Sequence, residues 1–281
     1  MPRSVDDGRH PVVRPPVVAG AAGSIAAVSG AARASADGVP QVVVVDLDGT
    51  LVAGDAFGAL LRHLLTSHRL RLLAALAAAP VWGPALALPP TRSVAERGLV
   101  WLAGLGLDER AFAAQARRVA AVHAGAGGGR VAAAGVERVR EHVRRGDRVV
   151  VATGCAEPLA REVCAVLGLP DVEVVASTLV RHRWRFPAPV VHARGPGKLR
   201  ALEAAGVPLP VDHAYSDSAR DVPLLRAART PHVVDPSRRD LRRLRHALGD
   251  DVEVLRWAGT ASAAGRPLAH EVRREVPPAG L

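Results

Sequence analysis

The stretch "QVVVVDLDGTL", residues 41–51, decides the fold. Four consecutive valines have no polar face, so the strand they form is buried on both sides, as in a parallel sheet covered by helices. An acidic turn follows its C-terminal end. Side chains alternate along an extended chain, which puts Asp46 and Asp48 on one side while Leu47 points away. Gly49 permits a tight turn, and the Thr50 hydroxyl can tie it. Two carboxylates this close repel unless a cation lies between them or one is protonated. A hard divalent ion held by oxygens, such as Mg2+, resolves the conflict. Asp46 is then placed to attack phosphorus, and Asp48 to give and take the proton.

The rest of the chain repeats the strand-then-loop pattern. "DRVVVATG" (147–154), "VEVVAS" (172–177), "HAYSD" (213–217) and "PHVVD" (231–235) are short apolar runs that each lead into a loop. The amphipathic segments "AAGVERVREHVRRG" (133–146) and "PLAREVCAVLGL" (158–169) alternate with them, the latter with Pro158 in its first turn. Alternating strands and helices imply an α/β fold with a parallel sheet, whose ligands bind at the strands' C-terminal ends. The polar residues of interest fall there. Asp217 follows one strand and can ligate the same ion as Asp46 and Asp48, and Asp221, one helical turn later, faces the same way. Thr153 and Gly154 end another strand ahead of a helix, where a hydroxyl and backbone N–H groups cradle a phosphate.

Lys198, on the loop "GPGK" (195–198), is the one lysine among 37 basic residues. A solvated helix-start position in this chain would carry arginine. A compact ammonium can touch both a carboxylate nucleophile and a phosphate, where a planar guanidinium would not fit.

The net charge of +10 suits an anionic partner: nucleic acid, an acidic membrane surface or a phosphorylated substrate. Aromatics are 3% of the chain and no nucleic-acid motif is present, so nucleic acid is set aside. Cys155 and Cys164 form neither a disulfide framework nor a zinc site, which fits a reducing cytoplasm. No metal-ligand spacing links the histidines, which are read as structural. Residues 1–40 read as a disordered tail rather than a signal peptide, because Gly and Ser interrupt the apolar run. Residues 261–281 read as a frayed end.

Residues 58–128 are helical in character and close with "GAGGGR", a plausible hinge; an insertion after the first strand is expected to form a cap over the site. The catalytic core is expected in 41–57 and 129–260. Leu72 to Thr91 contains no charge. That length would permit a membrane span, but Asp46 and Thr153 flank it and must meet in one site. Pro80, Gly83 and Pro84 are expected to break the helix midway. One expectation is a re-entrant or interfacial hairpin with Arg62, Arg69, Arg71, Arg92 and Arg97 facing anionic headgroups. The other is an apolar cap pair packed on the core. "RRDLRRLRH" (238–246) reads as an arginine-rich helix, and "RHRWRF" (181–186) as an exposed strand pair with Trp184 as packing or an anchor.

As a set, "DLDGT" (46–50), Thr153, Lys198 and "DSARD" (217–221) resemble the four motifs of the haloacid dehalogenase superfamily. The resemblance implies a Rossmann-like core with a helical cap inserted after the first strand, and Mg2+ as cofactor. It further implies an aspartyl-phosphate on Asp46, with Asp48 as acid/base and its backbone carbonyl on the metal. Asp217 would be a metal ligand, Thr153 a phosphate binder and Lys198 the charge neutraliser. Asp221 would hold Lys198 or a metal-bound water. The second aspartate favours phosphatases over dehalogenases, and within the superfamily the chain resembles the phosphoserine-phosphatase-like branch. More narrowly, "DLDGTLVAGDAFGALLRHLL", "ATGCAEPL", "GPGK" and "AYSDSARDVPLL" resemble phosphatidylglycerophosphatase C. The expected activity is Mg2+-dependent hydrolysis of a phosphomonoester, on a lipid phosphate such as phosphatidylglycerophosphate. The alternatives are a soluble small-molecule phosphatase, a phosphotransferase, or a non-catalytic lipid- or partner-binding protein. The expected location is the cytoplasm, at the inner face of the cell membrane.

Overall fold

A computed structural model describes residues 39–257, apart from 126–129, 183, 184 and 192. The expectations for both chain ends, for the Gly-rich hinge and for Trp184 lie outside the described residues. Strand β1 (Val42–Val45) is followed by helices α1 (Ala56–Thr66), α2 (Arg69–Ala87), α3 (Pro89–Gly104), α4 (Glu109–His123) and α5 (Ala133–Arg144). Then come β2 (Arg148–Ala156), α6 (Glu157–Val166), β3 (Glu173–His182), β4 (Arg185–Val191), α7 (Pro196–Ala204) and β5 (Val211–Ser216). A 3-10 turn (Ala219–Asp221), α8 (Val222–Arg226), β6 (Ala228–Val234), α9 (Arg238–Leu248) and β7 (Glu253–Leu255) complete the described chain.

The sheet order is β4-β3-β2-β1-β5-β6-β7. Six strands are parallel, and β4 pairs antiparallel with β3 at one edge, which is the strand pair expected around residues 181–186. The fold is α/β and Rossmann-like. The buried valines sort by parity. Val43 and Val45 join one hydrophobic core with Val149, Val151, Leu159 and Val163, while Val44 joins the other with Val150, Leu202, Leu224 and Leu244. This two-faced burial is why the strand shows no polar alternation. Strand β1 has β2 on one side and β5 on the other, so the strand order reverses around it and opens a crevice at its carboxyl end.

Helices α1 and α4 begin at aspartate caps: Gly58 N donates to Asp55 Oδ1 (2.9 Å) and Ala111 N to Asp108 Oδ1 (2.7 Å). Their buried faces (Leu60 and Leu64 on α1, Phe112, Ala116 and Val119 on α4) share the core of Val43 and Val45. The α1 and α4 parts of residues 58–128 therefore share the core on that face of the sheet. The α2–α3 hairpin differs. No residue of α2 is buried, and Leu70, Leu73, Leu76 and Val81 are 61–71% exposed.

The expected break at Pro80, Gly83 and Pro84 does not occur: α2 runs unbroken through them to Ala87. The two prolines are four residues apart, so their missing N–H groups fall on one side of the helix. The chain turns instead at Leu88, which is extended (φ −89°, ψ 125°). Leu88 precedes Pro89, which disfavours the helical conformation, and Pro89 and Pro90 then start α3, where a missing N–H costs nothing. Arg71 is not an edge residue facing headgroups either. Its guanidinium folds back to the Leu105 carbonyl (2.7 and 3.1 Å), and Arg92 pairs with Glu96 (2.9 Å). Arg62, Arg69 and Arg97 remain exposed.

Candidate active site

Asp46 N donates to Tyr215 O (2.9 Å), which extends the β1–β5 ladder by one residue and sets Asp46 in the crevice. The loop after it closes on its own backbone: Gly49 N donates to Val52 O (2.7 Å), and Leu51 N and Val52 N donate to Leu47 O (both 3.0 Å). Thr50, expected to tie this turn, instead accepts from Asp217 N (3.2 Å) and so joins the first acidic loop to the last. Gly49 has φ +89°, and a Cβ there would stand 2.3 Å from Asp217 Oδ2. Only glycine lets the two loops meet this closely. Asp48 Oδ1 accepts from Ala56 N (2.9 Å) at the start of α1, leaving its other oxygen toward the crevice.

Lys198 is 2% exposed. Its Nζ donates to Asp46 Oδ1 (2.7 Å) and Asp221 Oδ2 (2.6 Å). Gly195 (φ +54°) turns the chain into α7, and Pro196 occupies the helix's first turn, where it brings the lysine inward without loss of a hydrogen bond. Ser216 Oγ also donates to Asp221 Oδ2 (2.9 Å). Of the two roles implied for Asp221, the structure shows it holding the lysine.

Thr153 is buried and its Oγ1 accepts from Cys155 N (3.1 Å), so the hydroxyl proton is free to point at a ligand. The strand does not end at Gly154 as expected. It bulges between Thr153 and Ala156 before α6 begins at Glu157. The bulge turns Thr153 and Gly154 into the crevice wall, where Gly154 lies against the Arg194 side chain. Asp46, Asp48, Thr153, Gly154, Lys198, Asp217 and Asp221 all line one cavity of about 270 Å³. Asp55, Phe57, Ser218, Arg194 and Arg220 line it too, and sequence reasoning missed them. The signal was available for three: Ser218 and Arg220 lie inside "DSARD", and Arg194 directly precedes "GPGK".

Four carboxylates here face one ammonium. Burial pushes the Asp46 carboxyl up to about 6, against the pull of Lys198. Burial also raises Asp48 and Asp217 to about 7, with the Asp46 charge adding to each. Burial alone would depress Lys198, but Asp46 and Asp221 hold it above the ordinary lysine range. Lys198 is engaged with Asp46 and Asp221, and among the described residues neither Asp48 nor Asp217 has an ion-pair partner. Among the described residues no three acidic, histidine or cysteine side chains form a ready metal cage. A cation here would take two carboxylates, Asp46 and Asp217, and the Asp48 main-chain carbonyl. An all-oxygen set with unneutralised charge fits Mg2+.

The family model of haloacid dehalogenase-like hydrolases matches residues 43–226. The chain belongs to the haloacid dehalogenase-like hydrolase family. The match spans every motif residue from Asp46 to Asp221. Among solved structures, this hydrolase is similar to a protein of unknown function from Bordetella pertussis Tohama I, with 20% identity and a TM-score of 0.59. That alignment covers 78% of this chain and 99% of the other, and it shows the fold alone. A substrate-bound phosphoserine phosphatase aligns at 16% identity and a TM-score of 0.48, over 74% of this chain and 91% of its own. Cytosolic 5'-nucleotidase IIIB bound to cytidine aligns at 13% and 0.49, over 76% and 79%. No curated protein matches the chain. The narrower resemblance to phosphatidylglycerophosphatase C thus gains no support from any of these matches.

Proposed function

We propose that this family member hydrolyses phosphomonoesters through a phosphorylated Asp46. The observation that carries the reading is the buried contact of Lys198 with Asp46 at the carboxyl end of β1. Lys198 Nζ orients Asp46 and neutralises the charge that gathers as a phosphoryl group arrives. An Asp46 oxygen attacks phosphorus, and the bond from phosphorus to the alcohol oxygen breaks. Asp48 holds a proton near neutral pH because of its burial, and gives it to the departing alkoxide. Asp48, now a carboxylate, takes a proton from water as the water oxygen attacks phosphorus; inorganic phosphate leaves and Asp46 is restored. The Thr153 hydroxyl and Gly154 N–H hold the phosphoryl oxygens through both steps. Asp221, steadied by Ser216, positions Lys198. Asp46, Asp217 and the Asp48 carbonyl would hold Mg2+, which when bound screens the repulsion between the substrate's phosphoryl oxygens and the carboxylates.

For the substrate we propose a lipid phosphate, such as phosphatidylglycerophosphate. What supports it is α2, which is apolar on all sides, unburied and, at 19 residues with mean hydropathy 1.5, long and apolar enough to cross a membrane. As half of a hairpin with the charged α3, it fits a helix lying in a cytoplasmic membrane interface, with Arg62, Arg69 and Arg97 toward anionic headgroups. A second reading, a soluble small-molecule phosphatase, is favoured by the small, polar catalytic cavity. Phosphate release from phosphatidylglycerophosphate in mixed micelles, compared with phosphoserine and an aryl phosphate, separates them. Preference for the lipid supports the first reading; turnover confined to soluble esters supports the second. Recovery of the phosphoryl group on an added alcohol rather than as inorganic phosphate would establish a phosphotransferase.

A further inference from the structure

Beside the catalytic cavity lies a second one, of about 410 Å³, whose lining includes Ser218, Arg220, Arg239, Asp240 and Arg243. Ser218 and Arg220 line both cavities, so the two adjoin at the "DSARD" loop. Three arginines and one aspartate therefore line this cavity. That carboxylate is committed: Asp240 Oδ2 accepts from the Ser237 hydroxyl (2.6 Å) at the start of α9. Among the described residues none of the three arginines has an ion-pair partner.

Helix stability does not account for these arginines. Arg239 stands in the first turn of α9, where the helix dipole disfavours a cation. Arg243 is four residues further on the same face, and like charges at that spacing repel. Leu244 is the one buried residue of the helix, so the arginines are not there to cover a core. A doubly charged anion between them reverses the sign of both penalties, and guanidiniums suit phosphate oxygens in particular.

We infer that this cavity receives a second phosphate-type group of the same substrate. The substrate is then a phosphomonoester that also carries a phosphodiester or a second phosphomonoester, with the "DSARD" loop between the two anions. The inference rests on the hydrolase reading above and narrows its substrate class.

The test compares glycerophosphoglycerol phosphate, which carries a diester and a monoester, with an aryl phosphate, in the natural protein and in Arg239→Gln/Arg243→Gln. Both positions are exposed, and a melting curve confirms that the double variant folds. The natural protein is expected to favour the two-anion ester in kcat/KM, and the double variant to lose about tenfold of that preference. Equal kcat/KM ratios in the two proteins would overturn the inference. Arginine-dependent inhibition or activation of aryl phosphate turnover by free inorganic sulfate, without any ester preference, would also overturn it, by showing that the cavity takes a separate anion. Calorimetric binding of the two-anion ester to Asp46→Asn, with and without the two arginines, removes the dependence on turnover. Arginine-dependent binding there, without hydrolysis by the natural protein, would sustain the site and sink the hydrolase reading alone. Arginine-independent binding would sink the site.

Discussion

Lys198 Nζ lies 2.7 Å from Asp46 Oδ1, and the two side chains are among the few buried charged groups of the protein. A guanidinium is larger and planar and cannot occupy a slot shaped around an ammonium touching two carboxylates. Lys198→Arg is therefore expected to lower kcat by about a hundredfold or more. Lys198→Ala leaves Asp46 and Asp221 buried together without a cation, which costs about 3–5 kcal/mol in folding stability. Steady-state kinetics and urea denaturation read the two effects separately. A Lys198→Arg enzyme with unchanged kcat would remove the argument for the ammonium.

Gly49→Ala would set a methyl group 2.3 Å from Asp217 Oδ2, at a backbone angle of φ +89°. The strain is about 1–2 kcal/mol, which a domain of this size tolerates. The displaced Asp217 carboxylate is expected to matter more. The Mg2+ concentration for half-maximal activity should rise at least about tenfold, while circular dichroism stays native. A variant with unaltered Mg2+ dependence would show that Asp217 has no part in holding the ion.

The carboxylates also set a pH dependence. Asp48 and Asp217 are raised from 3.8 to about 7 by burial, so the folded protein without Mg2+ binds more protons than the unfolded chain between these values. Its stability is then full below about pH 4 as far as these two groups contribute, and is lost as pH rises through about 7. Mg2+ favours the ionised form of Asp217, its ligand, and should restore that group's share. The gain in melting temperature on replacing chelator with Mg2+ is expected to grow steadily from pH 5 to pH 8. A gain independent of pH would contradict the assignment.

A histidine chain slopes the other way. His142 Nε2 pairs with Tyr215 Oη (3.1 Å), His213 Nδ1 with His232 Nε2 (2.9 Å), and His232 Nδ1 with Glu253. Burial holds all three histidines below the usual imidazole range; the nearby Arg138 and Arg145 add to this, and Asp147, Asp212 and Glu253 oppose it. A depressed histidine stabilises the fold in its neutral form, so this contribution is present above about pH 6.5 and falls away as pH drops below it. With Mg2+ saturating, acid should lower the urea midpoint through this range, and His213→Gln should flatten the fall. An unaltered slope in that variant would place the acid sensitivity elsewhere.

How much of this was legible in the sequence depends on the range of the interaction. The valine run and its acidic turn gave the strand, its burial and its place in the crevice, because those follow from local pattern. The convergence of Lys198 on Asp46 spans 152 residues, yet the unusual choice of lysine marked it in advance. Pro80 and Pro84 misled, because a helix-breaking rule treats the residue alone, whereas the pre-proline restriction at Leu88 set the turn. Thr50 bonding across to Asp217, and Arg194 and Arg220 reaching the cavity, depend on how separate loops fold together. Local spacing carries no trace of that. The histidine chain was invisible for the same reason, since one helix and three strands contribute to it.

The most direct test of the central claim is to quench the enzyme in acid during turnover and fragment the peptide around residue 46 by mass spectrometry. A phosphoryl group on Asp46, absent with Asp46→Asn together with loss of phosphate release, is the expected result. Undiminished turnover by Asp46→Asn, or a phosphoryl group found on another residue, would contradict it.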